Sequence, residues 1–203
     1  MVGEGAALKY GIPRCPLEEL ITAKSLKSYK KYKSDDLFMD TVGTIVLHKQ
    51  KIAVSVSSGG IALKWSGRIG EAAIYGAGCY LYSRENVNIG VSVSGAGEQM
   101  QRMLFAKALV DTCKNKDFLK DPLDSIMNEF WSTLSLGSYE QRNVGFILLK
   151  SNRQNERECV ELWYGHTTPS FGFGFVNKAT NQVEYKISRL KQGGNWTIGC
   201  YPM

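Results

Sequence analysis

The stretch Thr41–Gly60, TVGTIVLHKQKIAVSVSSGG, decides the fold because it carries two strand-like runs joined by a polar turn. TVGTIVLH and KIAVSVSS are rich in β-branched residues and almost continuously apolar, which is typical of strands buried on both faces. A hairpin centred on the HKQK turn sets Thr41 opposite Ser58, with their Cβ atoms roughly 4.5–5.5 Å apart. Gly59 and Gly60 have no Cβ, so the backbone N–H groups at this end of the hairpin are unshielded.

These residues allow two interpretations of Thr41. In the first, Thr41 is an ordinary strand residue and the serines only end the neighbouring strand, which the spacing alone favours. In the second, Thr41 is a nucleophile and needs a base, although the sequence offers only His48 and His166 and shows no Ser-His-Asp set. Cleavage of the Asp40–Thr41 bond would free an α-amine with a pKa of about 7.7–8.0, which can take the proton of its own hydroxyl.

The patterns after this hairpin predict more strands and two helices. Strands are predicted at CYLYS, NVNIGVSVSG, NVGFILLK, CVELWYGHT, SFGFGFV and QVEYKISRL. A continuous helix is predicted over 98–116, and a second helix has Asp121 as its N-cap and Pro122 as its first residue. The buried stripe of the first helix consists of Met103, Ala106, Val110 and Cys113. Strands followed by a helical pair and further strands predict an α+β domain.

The composition limits the classes of protein and of site. The 203 residues include 43% hydrophobic residues, enough for a substantial core, and no apolar run or leader indicates a membrane span or secretion. The five cysteines lack C-x-x-C spacing, so each is predicted to be a small core residue rather than part of a disulfide framework or a zinc site. We therefore expect a soluble protein that uses no metal and no cofactor.

Much of the net charge of +6 lies in the run KSLKSYKKYKS, Lys24–Ser34. This run is interpreted as an exposed basic linker rather than a nucleic-acid patch, because no nucleic-acid motif accompanies it. We expect neither nucleic acid nor a membrane as a partner.

Several longer motifs resemble one enzyme family in their order. They are D-TVG at the opening hairpin, SSGGIALKWSGRIG, SGAGE, and ELWYGHTTPSFGFGFV. In this order they closely resemble the taspases, or threonine aspartases, a branch of the asparaginase-type N-terminal-nucleophile hydrolases. The resemblance covers nearly the whole chain from Val2 to about Leu190.

The resemblance implies an α-β-β-α sandwich and a precursor that cleaves itself before the threonine. It implies that residues 1–40 are the end of the α portion with its basic linker, and that 41–203 are the β portion. The α portion of the family is much longer, so the resemblance predicts a fold that is incomplete at the N-terminus. Sheet edges and apolar faces would then be uncovered.

The resemblance also assigns roles to individual residues. Thr41 matches the nucleophile and new N-terminus, Asp40 the residue released from it, and Ser58 the hydroxyl residue beside the nucleophile. Substrate binding falls to Arg68, which matches the arginine that holds the substrate carboxylate, and to Glu71, where asparaginases have the aspartate that binds an α-ammonium group. The oxyanion hole is matched by Ser94 and Gly95. The longer carboxylate of Glu71 is also expected to be able to pair with Arg68.

The function predicted from the resemblance is a threonine endopeptidase that cuts itself between Asp40 and Thr41 and then cuts proteins after aspartate. Its partners would be protein substrates with a cleavable aspartate, and its assembly an αβ heterodimer that can pair into a dimer of heterodimers. Because taspases carry an import signal where the basic run lies, the expected location is the nucleus or the cytoplasm. One alternative is an asparaginase or isoaspartyl-peptidase type amidohydrolase. Another is an inactive truncated fragment that binds a partner subunit.

Overall fold

The computed structural model describes residues 16, 19, 21–32, 41–61, 64, 67–133, 142–154, 157–177 and 180–203. The chain forms two compact units, Met1–Phe38 with Ile61–Trp65, and Met39–Gly60 with Ser66–Met203. The predicted division into residues 1–40 and 41–203 stays a prediction.

The described part of the first unit contains a lysine-rich helix, α1 (Ala23–Tyr32). Thr22 begins this helix, since its Oγ1 accepts the N–H of Ser25 at 3.0 Å and its carbonyl accepts the N–H of Leu26 at 2.9 Å. Such a cap satisfies an N–H group that has no partner inside the helix. The part of the basic run Lys24–Ser34 that the structure describes is therefore helical, and its role as a linker stays a prediction.

The second unit is built on a five-stranded antiparallel sheet and two hairpins. One hairpin pairs β1 (Val42–His48) with β2 (Lys51–Ser57), and the five-stranded sheet begins with β3 (Cys79–Arg84) and β4 (Val87–Gly95). It continues with β5 (Val144–Gln154) and β6 (Arg157–His166), and the other hairpin pairs β7 (Ser170–Asn177) with β8 (Gln182–Arg189). The last strand is β9 (Thr197–Pro202), which the sequence patterns did not predict, and the order in the large sheet is β3-β4-β5-β6-β9.

Three helices cover one face of the five-stranded sheet and form the core with it. They are α2 (Gly97–Met103), α3 (Phe105–Cys113) and α4 (Lys120–Thr133). Alternate residues of the central strands β4 and β5 point into this core, as the two-residue period of a strand requires. The buried side chains of these strands are Ile89, Val91, Val93, Val144, Phe146 and Leu148.

The opposite face of the same sheet carries small residues against which the β1–β2 hairpin packs. A Cβ at Gly90 would lie 2.7 Å from Cγ1 of Val54, so the close approach of the hairpin needs a glycine in β4. Two residues further along, the hydroxyl of Ser92 donates a hydrogen bond of 3.2 Å to the carbonyl of Ser55. A Cβ at Gly43 would clash with Ser92, which fixes β1 against the same strand.

The β1–β2 hairpin has one covered face and one exposed face. Burial alternates along β2 and along β1 from Thr44 onward, and Val42 and Val46 on the outer side are 67% and 53% exposed. The prediction that these strands are buried on both faces is therefore wrong for the described residues. Their apolar composition is that of a doubly covered strand, but the described chain supplies a cover on one side.

Two helix boundaries also differ from the sequence predictions. The helix predicted over 98–116 is two helices, because Leu104 adopts a left-handed conformation with φ of 46°. The break lets the N–H of Lys107, in the first turn of α3, bond the carbonyl of Gly76 at 2.9 Å. The helix α4 begins at Lys120, so Asp121 lies inside its first turn rather than at the N-cap.

The mixed α+β class predicted from the sequence is confirmed. Among the described residues, no helix is long and apolar enough to cross a membrane. The cysteines fit their predicted core role only in part. Cys113 is buried and Cys79 is half-buried, whereas Cys159 and Cys200 are exposed, and Cys15 lies outside the described residues.

Candidate active site

The two hydroxyl groups at the open end of the β1–β2 hairpin lie side by side. Val42 pairs with Ser57, which confirms the register predicted from the sequence and puts Thr41 opposite Ser58. The hydroxyl of Thr41 donates to Oγ of Ser58 at 3.2 Å, and that oxygen also accepts the N–H of Gly60 at 3.0 Å. The short strands and their single turn therefore bring the two side chains into direct contact. Asp40 lies outside the described residues.

Glu71 brings a carboxylate to the same hydroxyl. It is the first residue of a short 3₁₀ turn, Glu71–Ala73, and is 3% exposed. Its Oε1 accepts a hydrogen bond of 3.1 Å from the hydroxyl of Thr41. Its Oε2 faces Gly97, where a Cβ would lie only 2.6 Å away, so this carboxylate fits because residue 97 has no side chain. The nucleophile predicted from the sequence thus has a buried carboxylate as a direct neighbour.

Arg68 is held by Glu98, not by Glu71. Its Nε donates to Oε1 of Glu98 at 2.7 Å and its Nη2 donates to Oε2 at 2.8 Å, which is a bidentate pair. The side chain of Arg68 is 12% exposed and that of Glu98 is 34% exposed. Among the residues that the structure describes, these are the carboxylate contacts of Arg68, so the expectation that Glu71 pairs with Arg68 is wrong.

Gly97 lies between the carboxylate of Glu71 and the guanidinium of Arg68. The position of a Cβ on Gly97 is 2.6 Å from Oε2 of Glu71 and 3.5 Å from Nη2 of Arg68. A chain of neighbouring groups therefore runs from the hydroxyl of Thr41 through Glu71 and Gly97 to Arg68, and ends at Glu98.

Ser94 and Gly95 lie at the end of β4 that points to this site. Along β4, Gly90 faces Ile45 and Ser92 faces Gly43, so each two-residue step on β4 moves two residues back along β1. Ser94 follows two residues after Ser92, on the same face of β4. Gly95 has φ of 150°, and a Cβ there would lie 2.2 Å from the carbonyl of Asn143, so only glycine fits this strand end.

Glu98 is the site residue that sequence reasoning missed. It belongs to the SGAGE motif used for the resemblance, but no role was assigned to it. Burial acts to raise the pKa of Glu98, yet the hydrogen bond from Arg68, a bond from its own backbone N–H and the charge of Arg68 together leave that pKa below its ordinary value. Glu98 is therefore ionised at neutral pH. One sequence signal could have pointed to Glu98. It is an acidic residue in the first turn of a helix that follows a glycine-rich strand end.

The segment His166-Thr167-Thr168 has structural contacts only, among the described residues. The ring nitrogens of His166 lie 2.8 Å from the carbonyl of Thr168 and 2.8 Å from Oγ of Ser188, and its ring stacks on Phe171. The hydroxyl of Thr167 accepts the backbone N–H of Val144 at 2.9 Å. These contacts hold β5 and the β7–β8 hairpin against the end of β6, so the segment has a structural role.

Two of the described cysteines, Cys113 and Cys200, are poor nucleophiles at neutral pH. Burial raises the pKa of Cys113 to about 12. The pKa of Cys200 is raised to about 11, first by burial and then by the nearby charges of Glu161 and Cys159. Both thiols are therefore protonated at neutral pH, and the thiolate is the reactive form.

A cleft of about 800 Å³ lies elsewhere in the second unit. Its lining includes Lys150, Arg157 and Glu161, which lie on β5 and β6 toward the hairpin that joins them. Ser94 and Gly95 pair with Gly145 and Val144 at the other end of β5. The cleft and the site around Thr41 are therefore at opposite ends of the large sheet.

The arrangement around Thr41 contains the parts of an acyl-transfer site. The hydroxyl oxygen of Thr41 lies within hydrogen-bond distance of Oγ of Ser58 and Oε1 of Glu71, and its single proton can be donated to either oxygen. A guanidinium lies on the far side of Glu71, and a hydroxyl and a backbone N–H lie at the strand end of Ser94 and Gly95. Among the described residues, no group of three or more histidine, cysteine, aspartate or glutamate side chains could hold a metal ion.

Comparison with known proteins identifies one family. The family model described as Asparaginase matches residues 15–153 of this chain. An isoaspartyl peptidase/L-asparaginase of Xenopus laevis is 29% identical over 137 residues, covering 62% of this chain and 43% of that protein. The rat protein of the same name is 34% identical over 120 residues, covering 53% of this chain and 35% of that protein.

A plant-type L-asparaginase of Pyrococcus abyssi matches a longer part of the chain. It is 25% identical over 174 residues, covering 83% of this chain and 52% of that protein. The chain thus spans about half or less of the length of these curated relatives. Their names support the wider asparaginase-type family and match the amidohydrolase alternative more closely than the endopeptidase.

Proposed function

Because the chain belongs to the asparaginase family (Asparaginase_2), whose members are hydrolases of the N-terminal-nucleophile type, we propose that it hydrolyses amide bonds of asparagine and isoaspartyl peptides. Thr41 is the proposed nucleophile. The observation that carries this proposal is the contact of its hydroxyl with Ser58 and Glu71 at 3.2 Å and 3.1 Å. The names of the relatives, isoaspartyl peptidase/L-asparaginase and plant-type L-asparaginase, support the same class of substrate.

The charges around Thr41 fit a substrate that carries both an ammonium and a carboxylate group. The site has one guanidinium, from Arg68, and two carboxylates, from Glu71 and Glu98. A substrate carboxylate alone would add negative charge to a site in which carboxylates already outnumber cations. The α-ammonium group of asparagine can instead be placed near Glu71 while its α-carboxylate binds Arg68.

Self-cleavage is the first proposed step, because an internal threonine has no free amine. Oγ of Thr41 attacks the carbonyl carbon of Asp40, the peptide C–N bond breaks, and the nitrogen of Thr41 takes the hydroxyl proton. Water then hydrolyses the ester, leaving a carboxylate on Asp40 and a free α-amine on Thr41. That amine is the general base for later turnovers.

Substrate hydrolysis repeats the same chemistry on an external amide. The α-amine of Thr41 takes the hydroxyl proton while Oγ attacks the amide carbon, and Ser94 with the N–H of Gly95 stabilises the oxyanion. Such donors typically contribute roughly 3–4 kcal/mol each to the transition state. The C–N bond breaks, ammonia or a peptide amine leaves with the proton, and water hydrolyses the ester to aspartate.

Intact mass and product release test this proposal together. The purified full chain is incubated for days, then mixed with L-asparagine or a β-aspartyl dipeptide, and ammonia or free amine is measured. We expect a fragment that begins at Thr41 and release of product, both lost in Thr41→Ala. A wild-type chain that stays whole and inactive, also after co-expression with a complete α portion, would rule the proposal out.

A threonine endopeptidase that cuts proteins after aspartate, the taspase-type activity, is the second candidate. Glu71 favours it, because this carboxylate accepts a hydrogen bond from Thr41 and is one methylene longer than the ammonium-binding aspartate of the resemblance. A protein substrate has an amide where a free amino acid has its ammonium group, so it does not require that aspartate. Cleavage after aspartate in an unstructured protein, without ammonia release from asparagine, would select this candidate.

The assembly belongs to the same proposal. We propose an α-β-β-α sandwich for the complete fold and an αβ heterodimer after self-cleavage, which can pair into a dimer of heterodimers. The exposed lysines of α1 support the nucleus or cytoplasm as the location, because basic runs of this kind are read by import receptors.

A further inference from the structure

Glu98 binds one particular edge of the Arg68 guanidinium, and this choice of edge bears on substrate binding. A guanidinium can hold one carboxylate along its Nε–Nη2 edge and another along its Nη1–Nη2 edge. Glu98 occupies the first of these, through Nε at 2.7 Å and Nη2 at 2.8 Å. The second edge is therefore the one at which a carboxylate ligand can be bound while Glu98 stays in place.

Two glycines lie beside the Nη1–Nη2 edge. The position of a Cβ on Gly70 is 3.8 Å from Nη1, and the corresponding position on Gly97 is 3.5 Å from Nη2. Gly97 also adjoins Oε2 of Glu71, whose other oxygen bonds the hydroxyl of Thr41. This edge is thus next to the groups that lead to the nucleophile.

We propose that Glu98 is a positioning residue, which binds one edge of Arg68 and thereby presents the Nη1–Nη2 edge, between Gly70 and Gly97, to a substrate carboxylate. This inference rests on the proposed function, since it concerns the same substrate. An arginine side chain loses rotamer freedom when it is fixed. Glu98 fixes it before the ligand arrives, so less of this cost falls on binding.

A competing role for Glu98 predicts different behaviour. If Glu98 were an internal competitor for Arg68, its removal would strengthen the binding of a carboxylate ligand. Removing the charge of Glu98 also increases the attraction of Arg68 for any anion, whichever role is correct. The test therefore compares variants that have the same charge.

Two comparisons at constant charge isolate the hydrogen bonds. In the first comparison, Glu98→Asp keeps the charge of the wild type but withdraws the carboxylate by one methylene. In the second, Glu98→Gln and Glu98→Ala both remove the charge, and only Glu98→Gln keeps an oxygen that can accept a hydrogen bond from Arg68. Each is made in the full chain with Thr41→Ala, so that no turnover occurs, and the binding of L-aspartate is measured by calorimetry. Asp111→Asn, which breaks the exposed pair with Lys107, is the matched control.

We expect Glu98→Asp to bind L-aspartate about tenfold more weakly than the parent, and Glu98→Ala about tenfold more weakly than Glu98→Gln, because Arg68 is then less firmly held before the ligand binds. Asp111→Asn should bind as the parent does. Equal binding within both pairs, or tighter binding by Glu98→Ala than by Glu98→Gln, would overturn the positioning role. Melting temperatures identify a misfolded variant. If one comparison contains such a variant, the positioning role is judged from the other comparison.

Activity gives an independent readout that a purely structural role would not change. In the processed enzyme, L-asparagine is compared with asparaginamide, in which the α-carboxylate is replaced by an amide. Glu98→Asp should raise KM for asparagine and leave KM for asparaginamide unchanged, whereas equal losses for both would contradict the proposal. If the parent binds no L-aspartate but releases ammonia, the inference fails while the proposed function stands.

Discussion

The hydroxyl of Thr41 lies 3.1 Å from Oε1 of Glu71, so the proposed nucleophile donates a hydrogen bond to a buried carboxylate. In the resemblance, this position holds the aspartate that binds the α-ammonium group of a free amino acid. In this chain the carboxylate of glutamate reaches the hydroxyl. A shorter side chain at position 71 therefore tests how this contact affects the choice of substrate.

Glu71→Asp should shift the preference toward amino-acid substrates. The shorter carboxylate withdraws from Thr41 and leaves more room for the ammonium group that residue 71 is proposed to bind, so we expect kcat/KM for asparagine to rise about tenfold, the lower limit for one methylene in a pocket. Ammonia release from asparagine and cleavage of an aspartate-containing peptide are measured in parallel. A fall in both rates would contradict this prediction and show that the reaction requires the hydrogen bond between Thr41 and the Glu71 carboxylate.

Ser58→Ala should slow self-cleavage without unfolding the protein. The change removes one of the two acceptors near the hydroxyl of Thr41 and leaves the N–H of Gly60 without that oxygen, so about a tenfold slower reaction is expected from the loss of one hydrogen bond. Ser57→Ala, the exposed neighbour on the same strand, is the control and should cleave at the parental rate. Fragment appearance is followed by mass spectrometry, and equal rates in both variants would remove Ser58 from the site.

The contact between Thr41 and Ser58 could be predicted because it depends on local information. Two apolar runs joined by one short polar turn have a single in-register pairing, and that pairing fixes which residues face each other. The pair of Arg68 and Glu98 could not be predicted in the same way. Their side chains meet only after the end of β4 has been placed beside the turn that contains Glu71, which depends on the packing of the whole unit.

The break at Leu104 shows another limit of sequence patterns. The apolar stripe of the helix predicted over 98–116 has members on both sides of Leu104 with unbroken helical spacing. Periodicity alone therefore predicts one helix. The carbonyl of Gly76, which accepts the N–H of Lys107, comes from a distant part of the chain and favours a new helix start. A tertiary acceptor therefore overrides a local preference, at the cost of one left-handed leucine.

Gly97→Ala should damage the site more than the fold. The added Cβ would lie 2.6 Å from Oε2 of Glu71 and 3.5 Å from Nη2 of Arg68, so at least one of these side chains must move. We expect a loss of activity of about 100-fold, the scale for a 1 Å misplacement of catalytic groups. Gly172→Ala is the matched control, since a Cβ there has no heavy atom within 4 Å. Parental activity in Gly97→Ala would contradict the geometry described for this site.

His166 should make the stability of the protein depend on pH below neutrality. Burial lowers the pKa of His166, opposed in part by its hydrogen bond to the carbonyl of Thr168. The unfolded chain therefore binds a proton first as the pH falls, so the stabilising contribution is present above about pH 6.5, the ordinary value, and is lost below it. Urea unfolding at pH 7.5 and pH 5.5 measures this difference in the free energy of unfolding.

The substitution His166→Gln should reduce that pH dependence and cost about 1–3 kcal/mol at pH 7.5, because a buried polar partner, the Thr168 carbonyl or the Ser188 hydroxyl, loses its hydrogen bond. The control is His48→Gln, which changes the other histidine of the chain. His48 is exposed, so this variant should unfold as the parent does. If the parent and His166→Gln lose equal stability between the two pH values, the titration of His166 is not responsible for the acid sensitivity. The ring would then take up its proton over the same pH range in the folded and the unfolded chain, which contradicts a pKa lowered by burial.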